Sequence, residues 1–389
     1  AIPGRAASSA PRLLRLGYLP GLDVAPLALA LEEGFIEAFG VRVLPQPFAR
    51  WQQLEEQLVA GALDGAITSA TTPLALRLGL GGARSWPALT PMTVSRNGNA
   101  FALARRFHDR GVTTPQGLAD QLRITDEPLH IALPQARGMA DLLLRHWLAS
   151  LGIDPERQVR FSVLSPMAML AALRAGKIDG FIAGRYRIAR AVDDGLATVL
   201  ATDLDIWPGH PEKVLTLGEA WAEAHPEAVI GLCAGLMQAA ERCDDGAERE
   251  RLVGLMSRPQ WLGPGSSLAL QRQFDDGTGG GPRQLLRFNQ FHSDRAHEPD
   301  RAEGTWILSQ FSRWGWSPFP SNRLELLSEV YRPDWCHGAL ERAGFAALRP
   351  ERRAFALADG VPFDQDNPLA YLAQLPFSRQ STPTLVALP

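Results

Sequence analysis

The sequence predicts an α/β protein made of two similar lobes, each built on a parallel β-sheet. The main observation is a repeat, because Leu58–Ser69 (LVAGALDGAITS) and Leu173–Gly184 (LRAGKIDGFIAG) share one pattern at an offset of 115 residues. In each copy an apolar helical run ends at a Gly suited to a left-handed turn, and a short strand follows Asp-Gly. This spacing is too long for a solenoid repeat and indicates two duplicated halves.

The elements that precede each copy extend the match. Each copy follows a strand, a helix and a second strand: Arg15–Tyr18, Val24–Phe39 and Val41–Leu44 in the first half, and His130–Leu133, Met139–Leu151 and Val159–Leu164 in the second. Each half therefore has the order β-α-β-α-β, which favours a parallel sheet with right-handed crossovers. Ligands bind beyond the carboxyl ends of such strands, so two facing lobes predict a cleft between them.

The connecting segments predict where the lobes begin and end. Asn97-Gly98-Asn99 is typical of a hairpin turn between two short strands within Met92–Ala104. Ile206–Lys213 (IWPGHPEK) is rich in turn-forming residues and is expected to return the chain to the first lobe. We therefore assign 12–104 plus 214–389 to the first lobe, with a helical C-terminal extension, and 105–213 to the second.

Composition excludes several classes of protein. Hydrophobic residues make up 46% of the chain and charged residues 21%, as in globular proteins, and the net charge of −3 argues against nucleic acid as a direct partner. No segment approaches the ~18–20 consecutive apolar residues of a membrane span. Cys233, Cys243 and Cys336 have no metal-ligand spacing, and their odd number predicts buried thiols.

No catalytic motif stands out, so the candidate residues are those of a binding site. Arg185 and Arg187 follow Gly184 at the end of the second repeat, where guanidinium groups and peptide N–H groups suit a planar oxyanion. The alternative for these arginines is a solvated helix start. Trp51 directly precedes a helix, where its ring is suited to line a cleft or, alternatively, to pack against that helix.

Several longer stretches resemble the nitrate- and bicarbonate-binding proteins of ABC importers and their cytoplasmic nitrate/nitrite-sensor relatives. They are LGYLPGLDVAPLALALEEGFIEAFGV, ARWQQLEEQLVAGALDGA, RHWLASLGIDPERQV, AGKIDGFIAG, IWPGHPEKVL and WILSQFSRWG. The resemblance runs from Arg15 to Gly344, and IWPGHPEK is its most specific part. It implies the two-lobed C-clamp of type II periplasmic binding proteins, which holds a small oxyanion between its lobes.

The resemblance also implies roles for individual residues. Trp51 corresponds to the ring of the first lobe, and Asn99 stands where the family usually has Gln. Gly184 corresponds to a backbone donor at the strand end. Lys213 corresponds to the lysine that supplies positive charge in nitrate binders, where the bicarbonate binder has an acid. No cofactor is implied.

Two departures from the family pattern affect the expected ligand. The family's helix begins Thr-His-Asp, and Ala140 stands here in place of the histidine. The family's Gly-Glu-Pro-Trp is replaced by Gly184-Arg185-Tyr186-Arg187. Arg137, Arg185 and Arg187 are the candidates to replace the lost histidine, for a larger or more highly charged ligand such as a carboxylate or sulfonate. The alternative is a degenerate pocket in a protein that signals through contacts alone.

The leading hypothesis is a solute-binding protein of an ABC importer that closes on a small anion and is recognised by the membrane permease. Its expected location is periplasmic or membrane-tethered. The alternative is a cytoplasmic nitrate/nitrite-type sensor that regulates a partner protein. An enzyme is not expected, because thiamin-pyrimidine synthases share this fold but carry a cluster of cysteines that the sequence lacks.

Overall fold

Two β-sheets organise the part of the chain that the computed structural model describes, residues 11–82, 84–270, 289–347, 357–379 and 385–388. The strands are β1 (Arg12–Tyr18), β2 (Val41–Pro47), β3 (Gly65–Ser69), β4 (Ala88–Asn97), β5 (Asn99–Ala104), β6 (Leu129–Leu133), β7 (Val159–Val163), β8 (Gly180–Gly184), β9 (Ala197–Thr202), β10 (Pro211–Gly218) and β11 (Asn289–Gln290). A separate short pair joins β12 (Phe319–Pro320) to β13 (Leu385–Val386).

Helices cover the sheets and form most of the C-terminal region. They are α1 (Ala25–Glu33), α2 (Trp51–Val59), α3 (Thr72–Arg77), α4 (Arg105–Asp109), α5 (Pro115–Arg123), α6 (Met139–Ser150), α7 (Pro166–Arg174), α8 (Arg185–Asp193), α9 (Asp203–Ile206), α10 (Glu219–Ala224), α11 (Pro226–Cys243), α12 (Arg249–Met256), α13 (Arg301–Arg313), α14 (Arg323–Val330), α15 (Pro333–Ala343) and α16 (Pro368–Gln374). Among the residues described, no helix combines the length and hydrophobicity needed to cross a bilayer.

The two sheets repeat one arrangement of strands. Their orders are β11-β4-β10-β3-β1-β2 and β7-β6-β8-β5-β9. Within each, the predicted unit is parallel, since β1 pairs with β2 and β3, and β6 pairs with β7 and β8. The strand beside each unit is antiparallel to it: β10 beside β3 and β5 beside β8. The α/β fold is confirmed, with sheets that are mixed rather than wholly parallel.

The repeated Gly and Asp residues have the same roles in both lobes. Gly61 and Gly176 have φ angles of 73° and 67°, which confirms the predicted left-handed turns. Asp64 accepts a hydrogen bond from the backbone N–H of Arg15 at 2.8 Å, and Asp179 accepts one from that of His130 at 2.8 Å. Each Asp therefore ties the last strand of its unit to the first.

The glycine after each Asp leaves room for the antiparallel strand. A Cβ on Gly65 would lie 2.7 Å from the carbonyl oxygen of Thr216, and one on Gly180 would lie 2.6 Å from that of Ala102. Neither contact is possible for a side chain of any size. The glycine of each Asp-Gly pair is therefore required by the close approach of the neighbouring strand, which is β10 beside β3 and β5 beside β8.

The expected hairpin at Asn97-Gly98-Asn99 is wrong. Asn97 and Gly98 have the positive φ angles of such turns, 57° and 112°, but the strands that they join lie in different sheets. Because β4 pairs with β10 while β5 pairs with β8 and β9, this segment carries the chain from one lobe to the other. The chain returns through 207–210, and β10 begins at Pro211.

The division into lobes, 12–104 plus 214–389 and 105–213, stays a proposal, and the strand pairing places the crossings differently. Asn99–Ala104 pairs in the second sheet and Pro211–Lys213 in the first. The C-terminal helices also contact both lobes. Helix α15 packs on α11, whereas Trp306 of α13 lies in the core of the second lobe, 4.8 Å from the ring of Trp207.

The three cysteines are free and buried, as predicted. Cys233, Cys243 and Cys336 all belong to the core that joins the first sheet to α11 and α15. Their burial raises the pKa of each thiol, which keeps the thiolate form rare. They are packing residues in this fold.

Replacing Gly180 by Ala tests the close approach of β5. We expect Gly180→Ala to lower the free energy of unfolding by about 1–3 kcal/mol, because the added methyl group forces the two strands apart. Gly254→Ala is the control, since Gly254 lies in α12 with no atom near its Cβ position, and a gain of about 0.5–1 kcal/mol is expected there. Urea unfolding measures both, and equal stability of Gly180→Ala and wild type would contradict the packing argument.

Candidate functional site: the interlobe cavity

A cavity of about 80 Å³ lies where the chain crosses between the lobes. The residues that line it and bear on its chemistry are Asp23, Trp51, Glu212 and Lys213 from the first lobe and Asn99, Gly184, Tyr186 and Arg187 from the second. It adjoins an outer chamber of about 810 Å³, with which it shares Leu19, Trp51, Pro134 and Pro166. The cavity is the predicted cleft.

Lys213 of β10 supplies the cavity with a buried positive charge. Its residue is 8% exposed, and its Nζ lies 2.9 Å from the Asp23 carboxylate and in contact with that of Glu212. The Trp51 ring centroid is 5.5 Å from Nζ, within range of a cation–π interaction. Burial alone would lower the pKa of Lys213, but Asp23 and Glu212 outweigh it and raise the pKa, so the ammonium stays charged.

Asn99, the first residue of β5, brings a hydrogen-bond donor to the same place. Its backbone N–H donates to Asp203 at 2.8 Å, and it pairs in register with Gly184. Its side-chain Nδ2 is buried and has no hydrogen-bond partner among the described residues. Leaving a buried amide N–H without an acceptor costs folding free energy. The Asn99 side chain is therefore suited to donate to a bound ligand or a water molecule.

Asp203 and His210 form a buried pair that joins the two crossings. His210 Nε2 lies 2.9 Å from Asp203 Oδ2, and both side chains are fully buried. His210 Nδ1 faces the Pro211 carbonyl at 3.1 Å and Glu212 Oε2 at 3.9 Å. Both ring nitrogens thus face acceptors, which favours the imidazolium. Burial alone would lower the pKa of His210, but the hydrogen bond and charge of Asp203 raise it.

A second buried ion pair ties these crossings to the C-terminal helices. Arg96, near the end of β4, pairs with Glu303 of α13 at 2.5 Å and donates to the Gly209 carbonyl at 2.8 Å. The Gly209 N–H in turn donates to Asn97 Oδ1 at 2.7 Å. The outward and return segments are therefore held together directly beside the cavity.

The structure separates the three predicted arginines. Arg187 lines the cavity, donates to the Pro20 carbonyl of the first lobe at 3.1 Å, and lies 4.9 Å from the Tyr186 ring centroid. Arg137 lines the outer chamber instead, with a φ of 61° and its guanidinium against Gly81. Arg185 is absent from the described lining of both chambers, and its backbone N–H donates to Gly98.

The start of α6, where the family's histidine would stand, contacts the first lobe. Ala140 is buried, and the neighbouring Met139 N–H donates to Ser69 Oγ at 2.8 Å. Gln135, in the preceding loop, donates to Glu55 of α2 at 2.7 Å. The lobes are therefore in contact across the cleft, and this turn of α6 is used for that contact.

Sequence analysis missed the acidic residues of the cavity. Asp23 follows the carboxyl end of β1, the position where α/β proteins bind ligands, and that position was the available signal. Glu212 stands beside Lys213 in IWPGHPEK, and that adjacency was the available signal for it. Five of the predicted site residues line the one cavity: Trp51, Asn99, Gly184, Lys213 and Arg187.

Residues 7–257, well over half of the chain, match the model of the NMT1-like family. The chain belongs to the NMT1-like family. Its fold matches the crystal structure of the periplasmic nitrate-binding protein NrtA from Synechocystis with a TM-score of 0.85, at 25% identity over 94% of this chain and 98% of that one. This match confirms the two-lobed fold of a periplasmic binding protein.

Two relatives differ in how much of their length this NMT1-like chain spans. The nitrate import ATP-binding protein NrtC of Synechococcus elongatus is 50% identical over 368 residues, which are 95% of this chain and 56% of NrtC. The nitrate/nitrite binding protein NrtA of the same species is 28% identical over 395 residues, which are 96% of this chain and 89% of NrtA. The chain thus spans about half of NrtC and most of NrtA.

The Asp203–His210 pair predicts a pH dependence of stability. Because the folded pKa of His210 is raised above its unfolded value of about 6.5, the stabilisation is complete below pH 6.5 and is lost as pH rises through the folded value. His210→Asn leaves Asp203 buried without its partner and should cost about 3–5 kcal/mol. The free-energy difference between wild type and His210→Asn should therefore narrow as pH rises above 6.5.

Urea unfolding at a series of pH values measures this difference. His108→Asn makes the same chemical change at a residue whose side chain is 40% exposed, and it should lower the free energy of unfolding much less than His210→Asn does. A difference that is constant with pH would contradict the ion pair.

Proposed function

We propose that the chain binds a small oxyanion, nitrate or a close chemical relative, in the interlobe cavity, as the solute-binding module of an ABC importer. The observation that supports this most directly is that the buried Lys213 ammonium and the unpartnered Asn99 amide line one cavity. One group supplies charge and the other a directed hydrogen bond. A planar oxyanion accepts from both.

The size and the lining of the cavity favour such a ligand. About 10–15 Å³ of free space is enough for one water molecule, so a cavity of about 80 Å³ has room for an ion of a few heavy atoms. Electrostatic attraction strengthens as water is excluded, and the Trp51 ring and the apolar side chain of Leu19 cover one side. Gly184 leaves room for the Tyr186 ring beside the cavity, since a Cβ at position 184 would lie 3.1 Å from that ring.

The proposal is binding without turnover. Among the described residues that line the cavity, three of the four charged side chains, Asp23, Glu212 and Lys213, form ion pairs in which Lys213 contacts both carboxylates, and the fourth, Arg187, donates to the Pro20 carbonyl. This arrangement suits charge compensation around a guest and leaves no group poised as a nucleophile or base. The proposed partner is the importer's membrane permease, which would recognise the closed lobes, and the proposed location is periplasmic or membrane-tethered.

A second candidate is a regulatory module that reports anion occupancy to the ATP-binding component of an importer, on the cytoplasmic side. The observation that favours it is the higher identity to NrtC, 50%, than to NrtA, 28%. In both candidates the anion site is the same and only the partner differs. Association of the purified chain with the permease or with the ATP-binding component separates the two.

Asn99→Ala tests the anion site. Isothermal titration calorimetry of wild type with nitrate, nitrite and bicarbonate should show binding of at least one of them, and Asn99→Ala should weaken it by about 1–2 kcal/mol, roughly tenfold, because one hydrogen bond to a charged ligand is lost. Lys213→Ala should abolish it.

Asn367→Ala is the matched control, because Asn367 is exposed and absent from the described lining of both chambers. The Asn367→Ala variant should bind the anion with the same affinity as wild type. Absence of heat with every anion, in wild type and variants alike, would remove the proposal.

A further inference from the structure

The hydrogen-bonding capacity of the Lys213 ammonium is already in use within the chain. An ammonium has three N–H donors, and Nζ contacts the carboxylates of Glu212 and Asp23 while lying over the Trp51 ring. An anion that binds beside Lys213 therefore competes with these carboxylates for the ammonium. The cavity therefore contains a competitor for its own ligand.

We propose that Asp23 is a tethered counter-ion: its carboxylate occupies the position beside Lys213 that a bound anion takes, and anion binding displaces it. Asp23 then sets the affinity of the site. This inference rests on the proposed function and names the residue that determines how tightly, and which, anions are held.

The two carboxylates are not equivalent, and the geometry selects Asp23 as the exchangeable one. Glu212 is adjacent to Lys213 on the same strand, and its side chain is 6% exposed. Asp23 lies in a short helical turn, Leu22–Val24, on a different segment, and its side chain is 18% exposed. Movement of Asp23 towards the cavity mouth leaves Lys213 paired with Glu212, so the ammonium is never left without a partner.

The loop that carries Asp23 is built around its carboxylate. A Cβ on Gly21 would lie 2.1 Å from Asp23 Oδ1, so a side chain at position 21 would push the carboxylate away. Arg187 of the second lobe donates to the Pro20 carbonyl at 3.1 Å in the same loop. Contact between the lobes therefore fixes the loop in the position that brings Asp23 to Lys213.

The charges explain why this competition matters. Asp23 and Glu212 together carry two negative charges against the single positive charge of Lys213, and Arg187 at the cavity wall balances the second. An anion that binds beside Lys213 meets the repulsion of Asp23, because the Asp23 carboxylate lies 2.9 Å from the same ammonium. Removing that charge should favour anions, whereas a chain that keeps Asp23 binds only an anion that outcompetes it.

Nitrate titration of the Asp23→Asn variant tests the inference. Asp23→Asn should bind nitrate at least about tenfold more tightly than wild type, because the competing charge is removed while the size of the side chain is kept. Glu56→Gln is the control, since Glu56 is an exposed carboxylate of the outer chamber and changes the net charge equally. It should change the affinity less than about twofold. Asp23→Glu restores the charge and should remove the gain.

The outcomes separate the two proposals. Nitrate bound with the same affinity by wild type and Asp23→Asn overturns the counter-ion inference and leaves the proposed function standing. An equal gain in Asp23→Asn and Glu56→Gln also overturns it, because net charge alone would then be the cause. No heat with nitrate, nitrite or bicarbonate, in wild type or in any of the variants, removes the proposed function together with the inference.

Discussion

The buried ammonium of Lys213 is the interaction on which the site depends. A charge without hydration is stable only when it is paired, and the pairing here draws on three separate segments. Asp23 comes from the end of β1, Trp51 from the start of α2, and Glu212 from β10 itself. The cavity exists because these segments converge on one cation.

Strand β10, which carries Lys213, links the site to the segments that connect the lobes. His210 lies just ahead of Lys213 and pairs with Asp203, which in turn accepts from the Asn99 backbone. Groups proposed to contact the ligand are therefore adjacent in sequence to groups that hold the crossings. Hinged two-lobed proteins close around ligands by small changes at such segments. Arg96 and Glu303 extend this buried polar cluster to α13, so the C-terminal helices share in any such movement.

Much of the fold was predictable from the sequence, because the repeat states each lobe's elements twice. The hairpin prediction failed for a physical reason. Asn97-Gly98 encodes positive φ angles, which serve a hairpin and a crossing equally, and the choice between them lies with distant strands. In the site, Lys213, Asn99 and Trp51 followed from the resemblance to a family. The pairing of Lys213 with Asp23 could not be predicted, since nothing in the sequence around either residue specifies a contact between them.

The most direct test of nitrate binding beside Lys213 is a crystal structure of the chain grown with saturating nitrate. Nitrate density is expected in the cavity between Lys213 Nζ and Asn99 Nδ2, beside the Trp51 ring, with the Asp23 carboxylate moved away from Lys213. Nitrate bound only in the outer chamber, with the Lys213–Asp23 ion pair intact and Asn99 Nδ2 still without a partner, would contradict it.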